Sequence, residues 1–310
     1  MAVAVGRSPI AQRSSYAKML SPEEKAERRV RGRAKAEAAL ERLDAAVGRI
    51  IESDDAFREY LRVSGRMHNY SWANRLLVAM QRPDAGMVAG FAAWKRLERP
   101  VVKGAKGIQI LAPMVRKVDG GEENAGLSTL DGDVDQDGKV AKVIGYRVAY
   151  VFSIHDTDGP PVAIPQPVPL TDDGQEARDI LGVLIARAER LEVPVAFVAE
   201  ADDPLLAGGA HGYYHPGETR IVVRADMPAA ARAQVLAHEL AHHVAGRMGR
   251  RDAETVAEGA AFIVMAFFGL DTEGASAPYI AGWAQDVGRV RALLDSIAKV
   301  AAEITDGDQR

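Results

Sequence analysis

Residues 238–242 read His-Glu-Leu-Ala-His, inside the run 231-ARAQVLAHELAHHVA-245, which meets no proline or glycine before Gly246. Such a run predicts a helix. Residues four apart on a helix stack on one face, so His238 and His242 present two imidazoles to one metal ion while Glu239 projects beside them. Catalytic zinc takes three protein ligands and keeps a fourth position open for water. It lowers the pKa of that water to about 7, where a nearby carboxylate can take the proton. The pentapeptide therefore predicts a zinc hydrolase centre, with Zn2+ as cofactor, His238 and His242 as ligands and Glu239 as general base.

The third ligand must come from elsewhere in the chain. The next helical segment, 252-DAETVAEGAAF-262, offers Asp252, Glu254 and Glu258. Glu254 and Glu258 are four apart and share a face. The expectation is Glu254 as ligand and Glu258 as the carboxylate that orients one histidine, with the reverse order open. His243 lies about 100° around the helix from His242 and is expected to pack or face solvent.

A chain of 310 residues that is 47% hydrophobic can bury a sizeable core, and two domains are expected. It has no cysteine, which excludes disulfides and thiolate zinc sites and fits a reducing, cytoplasmic setting. The start, MAVAVGRSPIAQRSS, lacks the apolar core of a secretion signal. No stretch approaches the roughly 18 apolar residues of a membrane span. The net charge of −4 hides an asymmetry: residues 1–117 carry 23 basic and 12 acidic side chains, leaving 16 and 31 for the remainder. A basic front joined to an acidic back points to a polyanionic partner for the front, against the plainer reading of a solvated, highly charged helix.

Residues 1–20 are expected to be a disordered tail. Ser21-Pro22-Glu23-Glu24 reads as a capping box with proline at the first helical position, opening a helix to about Ile51. Short helices follow near 54–63, from the Ser71 cap to Met80, and over 90–98. Residues 107–117 and 143–153 read as strands around a flexible, Gly- and Asp-rich acidic loop, 118–139. Asp133, Asp135, Asp137 and Gly138 imitate half of a calcium loop, but Ile144 stands where its bidentate acid is needed. Five prolines in 159-GPPVAIPQPVP-169 predict a stiff linker over 159–170. The predicted domains are thus 21–158 and 171–310. The second reads as helix (172–191), strand (194–199), hairpin (211–224), metal helix (228–246), helix (252–268) and closing helix (277–304). Blocks of strand and helix in this order give an α+β class. The hairpin edge can hold an extended peptide by main-chain hydrogen bonds, and its Tyr213 and Tyr214 either pack on the sheet or steady an oxyanion.

Two groups of residues carry a resemblance. In front stand Tyr70-Ser71, Asn74, Gln81-Arg82-Pro83, Gly90-Phe91, Trp94, Arg99 to Gly104, Lys106-Gly107-Ile108 and Pro113, followed by Phe152, Asp156-Thr157 and Gly159. Behind stand the His-Glu-Leu-Ala-His run, Glu254, Glu258, Tyr279-Ile280 and Trp283. Together they resemble ArdC-type antirestriction proteins over about residues 40–300. The resemblance implies a single-stranded DNA-binding domain over 21–158 and an ImmA/IrrE-like, gluzincin zinc metallopeptidase domain over 171–310. It implies a mobile-element protein that protects incoming DNA. Glu98 departs from the pattern, which has glycine there. Single-strand binders combine cations with aromatic faces on which bases stack. Lys95, Arg96, Arg99, Lys103, Lys106, Arg116 and Lys117 are the candidate cations, and Tyr70, Trp72 and Trp94 the candidate platforms. The competing reading is a regulatory zinc protease that cleaves one protein partner, such as a repressor, with the front domain as docking module.

Overall fold

The computed structural model describes residues 21–67, 70–119, 139–162, 167–272 and 287–305. The expectations for the tail (1–20), the acidic loop with its calcium-like aspartates (120–138), and Tyr279, Ile280 and Trp283 lie outside them.

Helix α1 (Pro22–Glu52) opens on the capping box: the Ser21 hydroxyl accepts the Glu24 N–H at 3.1 Å, and the Glu24 carboxylate accepts the Ser21 N–H at 2.7 Å. Ser53 caps α2 (Asp54–Gly65) and Ser71 caps α3 (Trp72–Gln81) in the same manner at one end. Strand β1 (Val88–Gly90), helix α4 (Phe91–Arg96) and the long strands β2 (Ile108–Asp119) and β3 (Lys139–Ser153) complete the front region. Its antiparallel sheet has the order β1-β3-β2. The free edge of β2 is covered by α3. The Asn74 amide donates to the Leu111 carbonyl at 2.9 Å and accepts the Leu111 N–H at 2.8 Å, and Gln81 does the same to Gln109 at 2.8 and 3.0 Å. Two carboxamides thus substitute for a neighbouring strand.

The second region runs α5 (Gln175–Arg190), β4 (Val195–Val198), α6 (Pro204–Ala207), β5 (Gly212–His215), β6 (Arg220–Arg224), α7 (Ala229–Ala245), α8 (Arg250–Phe268) and α9 (Val287–Thr305). Its sheet has the order β4-β6-β5, with β4 parallel and β5 antiparallel to β6, so β5 is an edge. The chain is a mixed helix and sheet fold in two regions. No described helix is long and apolar enough to cross a membrane.

Buried residues of both regions pack together. Val47, Phe57 and Leu76 in front share one buried cluster with Leu236, Val256 and Leu294 behind. The end of the proline-rich stretch is docked, not free: Val168 is buried, donates to the Gly269 carbonyl at 2.8 Å and accepts from Asp271 at 2.8 Å. Glu98 has φ +57°, the left-handed region that favours glycine, which explains why glycine suits this place and why Glu98 is strained there.

Helices α2 and α8 cross at Gly65. A Cβ there would lie 2.3 Å from the Ala266 Cβ, so only glycine lets the helices touch. Gly65→Ala is expected to destabilise the whole chain by about 1–3 kcal/mol, with partial recovery in the Gly65→Ala/Ala266→Gly double variant, read by denaturant unfolding. Equal stability of Gly65→Ala and wild type would contradict the close crossing.

Candidate functional site

Helix α7 ends at Gly246, whose φ of +67° turns the chain, and α8 starts four residues later at Arg250. This reversal folds the first turns of α8 back over the end of α7. The result is a cluster of His238, His242 and Glu254, whose ligand atoms lie within 4.8 Å of one another. The two Nε2 atoms are 3.1 Å apart, and a Glu254 carboxylate oxygen lies 3.8 Å from His238 Nε2 and 3.5 Å from His242 Nε2. Three ligands of a tetrahedral zinc, each bound at about 2.0–2.1 Å, sit about 3.3 Å apart. The observed separations straddle that value, so the three side chains fit such an ion.

The protonation states agree with the geometry. Burial, reinforced by the neighbouring His242, pushes His238 down to about 4, and burial lowers His242 despite Glu254. Both imidazoles are therefore neutral near pH 7, the form that binds metal. Burial pushes Glu239 up to about 7, opposed by the nearby Tyr214 backbone N–H and aided by the charge of Glu254. Glu239, His238 and His242 line a cleft of about 920 Å³ walled on one side by β5.

The acidic candidates separate cleanly. Glu254 reaches the imidazoles. Asp252 is engaged with Arg289 of α9. Glu258 lines a neighbouring cavity of about 300 Å³ with His238 and Glu239, where burial raises its pKa. Among the described residues it makes no hydrogen bond to either histidine, contrary to the orienting role expected for it. Neither hairpin tyrosine offers a free hydroxyl: Tyr213 donates to Asp203 at 2.8 Å, and the Tyr214 hydroxyl lies 3.2 Å from His243 Nδ1.

In the front region, Trp94 is 0% exposed and its indole N–H donates to the Phe152 carbonyl at 2.8 Å. It cannot stack a base, because its ring is core and its one polar atom is satisfied inside. Trp72 is half-buried against the main core, and half-buried Tyr70 points its hydroxyl at the Val88 carbonyl. Arg99 holds Thr157, Gly159 and Pro160, so it braces the end of the sheet region. Lys95, Arg96, Lys103, Lys106 and Arg116 are exposed, and the side chain of Lys117 is outside the described residues. The accessible rings are different ones: Phe91 (58% exposed), Tyr150 (43%) and Tyr146 (41%), with Phe152 edge-on to Phe91 at 6.3 Å. Residues 146, 150 and 152 share one face of β3 through its period of two, a signal present in the sequence.

Residues 36–152 match the family described as the N-terminal domain of anti-restriction factor ArdC. The front region is similar to that domain. Residues 205–266, which span the metal cluster, match a family described as "Putative metallopeptidase family (DUF6782)". A crystal structure of the antirestriction ArdC protein from plasmid R388, in metal-free form, aligns with a TM-score of 0.54 at 20% identity, covering 86% of this chain and 99% of that one. The Mn(II)-bound structure of that protein aligns at 0.48 and 18% identity, with the same coverage. An uncharacterized protein of Bacillus anthracis is 26% identical over 280 residues, 82% of this chain. This chain spans about half, 47%, of that relative's length.

The raised pKa of Glu239 has a measurable consequence for stability. Its folded value, about 7, exceeds the ordinary 4.5, so its contribution is fully present below pH 4.5 and is lost as pH rises through 7. In metal-free protein, Glu239→Gln is expected to be more stable than wild type by about 1–3 kcal/mol at pH 8 and to match it near pH 4.5. Urea unfolding at both pH values in chelator checks this. A pH-independent difference would contradict it.

Proposed function

We propose that the chain is an antirestriction protein of the ArdC type, which grips single-stranded DNA with its front region and carries a zinc-dependent peptidase centre behind. The observation that carries the enzymatic half is the convergence of His238, His242 and Glu254 beside Glu239 in an open cleft. A gluzincin-like centre accounts for it, with two histidines from one helix and a glutamate from the next. A zinc ion held there would supply Lewis acidity toward a carbonyl and a water of lowered pKa.

The chain's own residues then divide the work. Glu239, poised near neutrality, takes a proton from the attacking water and hands it to the departing amine. Strand β5 is an edge, and its free backbone groups hold an extended peptide across the cleft. The buried walls around His238 and Glu239 limit water and strengthen the local electrostatics.

The DNA half rests on charge and on exposed rings. Phe91, Tyr146, Tyr150 and Phe152 offer faces for bases, and Lys95, Arg96, Lys103, Lys106 and Arg116 offer cations to the backbone. The half-buried Tyr70 and Trp72 contribute at most an edge. Protection of incoming DNA would follow from occupying the single strand before restriction acts.

Two measurements on full-length protein test the two halves. Glu239→Gln should keep zinc but lose at least about a hundredfold in cleavage of a mixed peptide library. Undiminished cleavage would remove the general base, and no cleavage by wild type would remove the peptidase. Single-strand affinity should fall with salt at a log–log slope of about −0.7 per phosphate contact. Tyr150→Ala should weaken it by about 1–3 kcal/mol. A flat salt response or a preference for duplex would contradict the DNA assignment.

A further inference from the structure

We propose that the smaller cavity beside the metal cluster is a subsite for a positively charged group of the substrate, an ammonium or guanidinium on the residue next to the scissile bond, and that Glu258 receives it. This rests on the peptidase reading and deepens it by naming a substrate class. The cavity of about 300 Å³ meets the cleft of about 920 Å³ at Gly212, His238 and Glu239, which line both. A group that fills it therefore lies beside the reacting bond. Its volume is at the low end for ligand sites, about 300–1,000 Å³, so it suits one residue and not a length of chain. Helix α8 supplies Glu258, Ala261 and Met265, whose spacing of three and four puts them on one face. Helix α7 supplies Gln234 and Val235, about one turn before His238. Gly212 brings the start of β5 against them: a Cβ there would lie 2.5 Å from Val235 Cγ1.

The lining decides the sign of the guest. Val235, Ala261 and Met265 give an apolar wall for methylene groups, and the Gln234 carboxamide oxygen accepts hydrogen bonds. Glu239 and Glu258 are the carboxyls, and among the described residues no lysine or arginine lines the cavity. In the proposed reaction Glu239 serves the attacking water. Glu258 is left over: it is half-buried, and among the described residues it has no hydrogen bond or ion pair. An anionic guest would be repelled, and an apolar one would cover a carboxyl without pairing it. A cation gains a charge-assisted hydrogen bond. Burial and the charge of Glu254 hold the Glu258 pKa above the ordinary carboxylate value, and a cation beside it favours the charged form that burial opposes. Position agrees with charge. Glu258 stands one helical turn beyond Glu254, about 5–6 Å between Cβ atoms, so a group it holds is close to a carbonyl at the metal cluster. Two sources present that chemistry: the side chain of a lysine or arginine, and the free amino terminus of the residue whose carbonyl is attacked.

Zinc-loaded, full-length wild type and Glu258→Gln are compared near pH 7 on mixed peptide libraries, with cleaved bonds read by mass spectrometry. One acetylated library fixes arginine or its neutral isostere citrulline at a central position. A second, free of lysine and arginine, has its amino terminus free or acetylated. Wild type should cleave beside arginine at least about tenfold faster than beside citrulline, if the side chain is the source. It should cleave the first bond of the free-amine library by the same margin over the acetylated one, if the terminus is. Either preference should fall within about threefold in Glu258→Gln, which should keep its zinc. Cleavage with neither preference, a preference that survives Glu258→Gln, or loss of zinc in that variant would overturn the proposal. Saturation-transfer NMR reads the subsite without turnover, using N-acetyl-arginine amide, alanine amide with its free amine, and N-acetyl-citrulline amide. At least one cationic probe should bind wild type and bind Glu258→Gln about tenfold more weakly, with citrulline the weakest. Binding by neither cation, or binding indifferent to the variant, would overturn it. If wild type cleaves no peptide, the peptidase reading falls, and the probes still decide whether Glu258 receives a cation.

Discussion

Two imidazoles one helical turn apart do not make a candidate metal site until an acid is brought back over them, and the sharp reversal between α7 and α8 does that. It depends on Gly246, which adopts a positive φ that other residues avoid. It depends equally on α8 being held at both faces. Gly259 lets the Ile297 side chain of α9 approach, where a Cβ would lie 2.8 Å from it, and Gly65 lets α2 touch Ala266. The placement of Glu254 is therefore set by helix packing, and its chemistry by the burial that keeps both histidines neutral.

The same packing couples the two regions. Helix α8 rests on α2 from the front region and on α7 and α9 from the back, and one apolar cluster runs through all four. The pattern in the front region that carries the resemblance is largely scaffold. Asn74 and Gln81 close a sheet edge, Arg82 pairs with Asp156 at 2.8 Å, and Trp94 and Arg99 tie the sheet to the turns around it. These groups give the surface its shape, while the exposed rings and cations are free to meet a ligand.

Much of this was legible in the chain. Helix starts at Ser21, Ser53 and Ser71 follow from side chains that accept early N–H groups, and helix α7 follows from uninterrupted helix formers. Strand β1 and helix α6, three and four residues long, are too short to show any period. The choice among Asp252, Glu254 and Glu258 could not be read from spacing, because it turns on how α8 packs and on Arg289 far along the chain. The platforms were misplaced for a related reason: a tryptophan is equally at home in a core once its N–H finds a carbonyl, and that carbonyl, Phe152, is 58 residues away. The partners that hold His243, Leu191 and Tyr214, meet it only in the fold.

The central claim is that His238, His242 and Glu254 hold one metal ion together. X-ray absorption on zinc-loaded full-length protein, beside Glu254→Gln and Asp252→Asn, tests it most directly. The account predicts one zinc per chain with two imidazole nitrogens and oxygen ligands at about 2.0–2.1 Å, unchanged in Asp252→Asn and altered or lost in Glu254→Gln. A protein that retains no zinc, or a spectrum indifferent to Glu254→Gln, would contradict it.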